Sequence, residues 1–134
     1  LQATWKKDSD AVALGVEAAH LDTAHLQYND ENALSYTVSL AYYSARQYYT
    51  IIREMPTGQG FADMVFIPRK KYADKPAMIV ELKWNKDVRT AINQIKERQY
   101  GRELEAYNGS ILLVGINYDK ASRKHTCHIE EWIK

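Results

Sequence analysis

The sequence contains few of the residues that build or interrupt a fold by special chemistry. It has one cysteine, Cys127, three prolines and six glycines among 134 residues. A single cysteine excludes a disulfide within the chain and a metal site made of several thiolates, and it fits a reducing compartment. No apolar run approaches the roughly 20 residues that a membrane helix needs, and no signal peptide is recognisable. We therefore expect a cytoplasmic protein without a membrane partner.

A charge excess of either sign is also missing. The 18 lysines and arginines nearly balance the 17 acidic residues, which leaves a formal charge of +1. This balance counts mildly against tight duplex binding by the isolated chain, although a local basic patch is compatible with it. With 46% hydrophobic and 26% charged residues, the composition is globular. We expect a single domain over 1–134, and the start without Met suggests a piece of a longer polypeptide or a processed product.

The hydrophobic patterns predict the element order α-α-β-β-β-α-β-β. A helical extension covers 1–27, with a frayed lead-in over 1–8 and an N-cap at Ser9 or Asp10. Residues 28–118 form the core, and 119–134 supply a last strand. The helix after the third strand has Asn85 or Asp87 available as its cap. The fold class is thus α+β, with a central mixed sheet flanked by helices.

The stretch "PAMIVELKWN" ends an apolar strand with an acid and a base two residues apart. Residues two apart share a face of a strand, so Glu81 and Lys83 lie on one face and Leu82 on the other. If the preceding strand and this strand form a hairpin that is symmetric about Tyr72, the numbers of two facing residues sum to 144. Asp63 then faces Glu81.

Two carboxylates on adjacent strands repel each other unless a cation lies between them. Oxygen ligands of this kind suit Mg²⁺ or Mn²⁺ better than Zn²⁺. Each residue also has a simpler reading. Asp63 follows a glycine-rich turn and could be a turn former, and the Glu81–Lys83 pair could be a solvated strand end.

At these residues the chain resembles the PD-(D/E)xK nuclease superfamily, through "GQGFADMVFIPR", "PAMIVELKWNK" and "AINQIKERQY". Within it, the chain resembles the C-terminal nuclease-like domain of bacterial proteins that begin with a predicted AAA-type ATPase domain. The resemblance implies a restriction-endonuclease-like α-β-β-β-α-β core, nucleic acid as the substrate with DNA favoured over RNA, and an ATPase domain in the same polypeptide.

The resemblance also implies roles for individual residues. Asp63 and Glu81 match metal ligands, the Leu82 carbonyl often supplies another, and Lys83 matches the lysine that orients or deprotonates the attacking water. Glu31 matches an acid on the preceding helix, which is also favoured there by the helix dipole. Gln94 matches a glutamine on the following helix. That role is weakened because Arg98 stands where some relatives carry tyrosine.

Basic residues could contact the phosphate backbone: Lys96, Arg98, Arg69 and Lys70. The last two lie in "PRKKYADK", which can equally be a solvated loop. His20 and His25 are five apart, and His125 and His128 three apart, so none is expected to be a metal ligand. A second hypothesis is that the chain is a catalytically degenerate nuclease-fold module that binds nucleic acid or protein for its parent ATPase.

Overall fold

The computed structural model describes residues 1–22, 31–57, 60–97 and 109–132. Within these ranges the side chains of 21–22, 31–33, 36, 54–57, 60–63 and 94–97 lie outside the description. The elements, in chain order, are α1 (Gln2–Trp5), α2 (Ser9–Asp22), α3 (Glu31–Ala41), β1 (Tyr49–Thr57), β2 (Gly60–Pro68), β3 (Ala77–Trp84), α4 (Val88–Glu97), β4 (Ile111–Asp119) and β5 (Lys124–Glu131). Short 3₁₀ helices cover Tyr43–Gln47 and Lys70–Tyr72.

The five strands form one mixed sheet in the order β1-β2-β3-β4-β5. β1, β2 and β3 are antiparallel to one another, β3 and β4 are parallel with α4 in the crossover, and β5 returns antiparallel to β4. The predicted α+β class is confirmed, and so is the predicted order of elements from α2 to β5; α1 is an additional helix. The predicted hairpin register is confirmed as well, because Met64 pairs with Val80, Val65 with Ile79 and Phe66 with Met78, and each pair sums to 144.

Alternation along the strands divides the core into two clusters, one on each face of the sheet. The larger cluster contains Leu82 and Tyr118 from the sheet and is covered by α2 and α3, through residues such as Val16 and Leu34. The smaller cluster contains Val65, Ile79 and Leu113 together with Ile92 of α4. We call the first the large-core face and the second the α4 face. The two helical layers therefore lie on opposite sides of the sheet.

The N-terminal residues are ordered by burial, and the predicted frayed lead-in is wrong. Thr4 is fully buried, and its hydroxyl lies 2.6 Å from the Tyr42 hydroxyl. The Trp5 indole donates to the Tyr49 hydroxyl at 2.7 Å. These contacts join α1 to residues about 40 positions away, which no local pattern could indicate.

The N-cap of α2 differs from the prediction, whereas the N-cap of α4 agrees with it. The side chain of Asp8 accepts the Ala11 amide at 3.1 Å, so Asp8 caps α2, where Ser9 or Asp10 was predicted. Asp87, one of the two predicted candidates, caps α4 by accepting the Arg89 amide at 2.8 Å. Asn85 has another role: it adopts a φ of 56°, and its side chain accepts the Lys120 amide at 2.8 Å.

No helix in residues 1–22, 31–57, 60–97 or 109–132 is long and apolar enough to span a membrane.

Candidate active site

Glu81 and Lys83 lie on the α4 face near the end of β3. Glu81 is 2% exposed, while Lys83 is half-buried, one step nearer the strand end. Leu82, between them, points into the large-core face and is 3% exposed. A glutamate this deeply buried in an apolar strand is uncommon, because burial penalises the charged carboxylate unless partners compensate for it. The pair is thus part of the packed interior, with only the lysine reaching outward.

A glycine in β4 lets α4 approach this part of the sheet closely. Gly115 pairs with Glu81 in the parallel register and so shares its face. A Cβ on Gly115 would lie 3.0 Å from the Val88 carbonyl oxygen and 3.1 Å from the Ala91 Cβ. The absent side chain therefore allows the first turns of α4 to pack directly beside the strand position next to Glu81.

The loop between β3 and α4 is held by hydrogen bonds to β4. The buried Asn117, which pairs with Lys83, accepts the Lys86 amide on its side-chain oxygen at 3.0 Å. The Asn85 amide donates to the Tyr118 carbonyl at 2.7 Å. Because the first two residues of this short loop are anchored to β4, the start of α4 has a defined position relative to Lys83.

The β2–β3 pairs include Met64 with Val80, and this register continued by one residue would bring position 63 opposite Glu81. The backbone of Asp63 belongs to β2, and its side chain lies outside the described residues. The same holds for the side chains of Gln94 and Lys96 in α4, while Arg98 is outside the description altogether. Glu81, Leu82 and Lys83 therefore lie together on β3, and the strand carrying Asp63 lies beside them.

Glu31 begins α3, and its side chain is outside the description. Leu34 and Val38 place this helix on the large-core face, opposite the face to which Glu81 points. A role for Glu31 as a ligand therefore requires its side chain to reach round the end of the sheet. Its assignment remains a prediction.

Arg69 and Lys70 lie at the opposite end of the hairpin from Lys83. They follow β2 and precede β3, whereas Lys83 is at the far end of β3. Six strand steps from Ala77 to Lys83 correspond to about 20 Å. Arg69 donates to the Arg46 carbonyl at 3.1 and 3.3 Å. Nucleic acid bound near Lys83 could contact Arg69 and Lys70 only if it extended along the hairpin.

A cavity of about 610 Å³ lies on the large-core face, between the residues around the end of α3 and the edge of the sheet formed by β1 and β2. Its lining includes Tyr43, Arg46 and Arg53 together with Met64 and Phe66. The Arg53 guanidinium donates to the Ser39 hydroxyl. Because Met64 and Phe66 belong to the large-core face, the cavity is separated from Glu81 by the sheet and does not form part of the same centre.

Thiol chemistry is not supported at the single cysteine. Burial, together with the negative charge of Asp10, raises the pKa of Cys127 to about 12. Only a thiolate is a strong nucleophile, so this residue is nearly inert at neutral pH.

Sequence reasoning missed a group formed by Glu17, His20 and His125. One ligand atom from each of these side chains lies within 4.8 Å of those of the other two. Burial lowers the pKa of His125, and the hydrogen bond and charge of Glu17 act in the opposite direction. Histidine spacing within one element cannot indicate this group, because the group joins α2 to β5. The spacing of Glu17 and His20, three apart on a helix, was the available signal.

The architecture and the buried Glu-x-Lys strand define a class of protein: an α+β, restriction-endonuclease-like fold with the acid and lysine on its third strand. A comparison with known families agrees, since the profile of the PD-(D/E)XK nuclease superfamily matches residues 30–128, well over half of the chain. The chain belongs to the PD-(D/E)XK nuclease superfamily. Searches of curated proteins and of solved structures find no significant match.

Proposed function

We propose that this protein is a Mg²⁺- or Mn²⁺-dependent nuclease that hydrolyses phosphodiester bonds, with DNA favoured over RNA. One observation carries the proposal: in a chain of this superfamily, Glu81 is buried on the same strand face as the half-buried Lys83. A purely structural domain gains nothing from an acid and a base at these positions, since apolar residues of similar size stabilise a core at least as well.

The donor set fits a hard divalent cation. Glu81 and Asp63 offer carboxylate oxygens, and the Leu82 carbonyl offers a third oxygen from the same strand. Oxygen-only sets of this type select Mg²⁺ or Mn²⁺ over softer ions. The observed pairing of Met64 with Val80 supports a shared ion, because the same register continued by one residue would bring position 63 opposite Glu81. When bound, the ion would lower the pKa of a water molecule and neutralise charge on the phosphoryl group.

The remaining steps, positioning of the water and contact with the phosphates, would fall to other side chains of the chain. Lys83, nearer to solvent than Glu81, would hold the attacking water or the scissile phosphate. Gln94, on α4, lies on the helix that packs beside Glu81 and would position the same water. Glu31 would add a further ligand if it reaches round the sheet. Lys96 and Arg98 would contact the flanking phosphates, which positions the strand without reading its sequence.

A second candidate is a degenerate module that retains the fold and binds nucleic acid or protein without cutting. The formal charge of +1 favours its protein-binding form, because tight duplex binders usually show a basic excess. In both cases we propose that the parent polypeptide contains an ATPase domain.

Cleavage assays separate the two candidates. The purified chain is incubated with plasmid, single-stranded DNA and RNA in Mg²⁺, Mn²⁺ or EDTA. We expect metal-dependent cleavage of DNA that falls by about 10²–10⁴-fold in Lys83→Ala and Glu81→Gln. Lys86→Ala is the matched control, since that side chain is exposed three residues further along and should leave cleavage unchanged.

Circular dichroism and thermal melting verify that each variant is folded. Cleavage that survives EDTA, or equal activity in wild type and Lys83→Ala, would contradict the proposed mechanism. Folded wild-type protein that binds DNA but cuts none of the substrates with either metal would favour the degenerate module.

A further inference from the structure

We propose that Glu17, His20 and His125 form a second metal site, separate from the nuclease centre and selective for a transition metal such as Zn²⁺. The ligand atoms of these three side chains already lie within 4.8 Å of one another. The site is carried by α2 and β5, two elements that pack together and have no part in the proposed cleavage reaction.

The local geometry holds two of the ligands in position. Glu17 Oε1 accepts the backbone amide of His125 at 2.6 Å and lies 3.1 Å from His125 Nδ1. The His125 side chain is completely buried, and the ring of Tyr118 stacks on it at 4.8 Å and 14°. Hydrogen bonds and packing of this kind orient metal ligands in known sites.

His20 completes the group from the same helix face as Glu17. Residues three apart on a helix are neighbours, so both side chains point toward β5. The His20 and His125 rings have centroids 5.6 Å apart at 76°, so they meet edge to face. A tetrahedral zinc ion needs donor atoms about 3.3 Å apart, given metal–ligand distances of 2.0–2.1 Å. Because His20 is only partly buried, its ring can rotate to close this gap.

The chemistry of the donors distinguishes this site from the nuclease centre. Two imidazoles and one carboxylate suit Zn²⁺, Co²⁺ or Ni²⁺, whereas Asp63 and Glu81 offer oxygen alone. The two sites also lie on opposite faces of the sheet. His125 pairs with Tyr118 on the large-core face, while Glu81 faces α4. Each site can therefore be removed without changing the ligands of the other.

Binding here would clamp α2 to β5. The contact continues toward the strand end, because Tyr118 also packs edge to face on Trp84 at 4.8 Å, and Trp84 directly follows Lys83. We therefore assign the metal a structural role, in which it stabilises the folded chain and does not take part in the cleavage step.

The test measures metal binding and stability, not activity. The metal-free chain carrying Asp63→Asn and Glu81→Gln, which lacks the two central carboxylates of the proposed nuclease centre, is titrated with Zn²⁺ by calorimetry and with Co²⁺ by visible absorption. We expect one ion per chain and a thermal midpoint that rises by about 5 °C with excess Zn²⁺. Adding His20→Ala should weaken binding at least tenfold and abolish the shift.

His128→Ala is the matched control, because this partly buried histidine lies three residues further along β5 and outside the group. Glu17→Gln serves as a second variant that keeps the volume and an acceptor for the His125 amide. Absence of binding at 100-fold excess Zn²⁺, or equal affinity in the His20→Ala and His128→Ala backgrounds, would overturn the proposal. If the wild-type protein shows no nuclease activity, the proposed function fails, but these measurements of metal binding and stability still test the second site.

Discussion

Replacing Gly115 with alanine would add a methyl group where α4 packs against β4. The added Cβ would lie 3.0 Å from the Val88 carbonyl oxygen, 3.1 Å from the Ala91 Cβ and 3.2 Å from the Ile92 Cγ1. Carbon atoms pack best at about 3.5–4.0 Å, so α4 must move outward by several tenths of an ångström. Overpacking of this kind costs about 1–3 kcal/mol, and the reduced freedom of the unfolded chain returns about 0.4–1 kcal/mol. We expect a net loss of about 0.5–2 kcal/mol.

Gly15→Ala is a matched control, for which we expect a change in stability of the opposite sign. It lies within α2, and a Cβ added there would meet nothing within 4 Å. Gly15→Ala should therefore stabilise the protein by about 0.5–1 kcal/mol through helix propensity alone.

Urea unfolding followed by circular dichroism measures both changes. The Gly115→Ala midpoint should fall and the Gly15→Ala midpoint should rise. If the proposed function is correct, cleavage by Gly115→Ala should also drop by about tenfold, because the helix beside Glu81 is displaced. A Gly115→Ala variant as stable as the wild type would refute the close approach of α4.

Three further predictions concern single contacts. Tyr42→Phe removes the partner of the buried Thr4 hydroxyl and should lower the free energy of unfolding by about 1–2 kcal/mol, whereas an unchanged urea midpoint would contradict burial of α1. Asp87→Ala removes the cap of α4 and should cost about 1 kcal/mol in the same assay. The hydrogen bond from Lys7 lowers the pKa of Glu131, so the stability that this pair contributes is present above the usual glutamate pKa and is lost as the pH falls through the lower folded value. The urea midpoints of wild type and Glu131→Gln should thus converge between pH 7 and pH 3, and a pH-independent difference would argue against the contact.

The sheet and the central acid–lysine pair were predictable because their causes are local. Strand alternation has a period of two, so Glu81 and Lys83 had to share a face once β3 was recognised. Prolines at both ends of a short polar loop indicated a symmetric hairpin, and its register followed. The N-cap of α2 was harder to predict. Asp8 and Ser9 are both good capping residues, and only the path of the chain out of α1 decides which of them is used.

Contacts between distant elements depend on the tertiary structure alone. α1 is ordered because Thr4 and Trp5 contact Tyr42 and Tyr49. These tyrosines are distant in the sequence, so no local pattern indicates the contacts. Gly115 gives only a weak signal in an apolar strand, and its purpose is visible once α4 lies against it. The Glu17, His20 and His125 group is of the same kind, since α2 and β5 are nearly the full chain apart. The sequence by itself therefore determined the order of the elements from α2 to β5, the strand register and the family, because these depend on periodicity and short-range turns. The packing of helices on the sheet decided what surrounds Glu81 and which histidine lies beside Glu17.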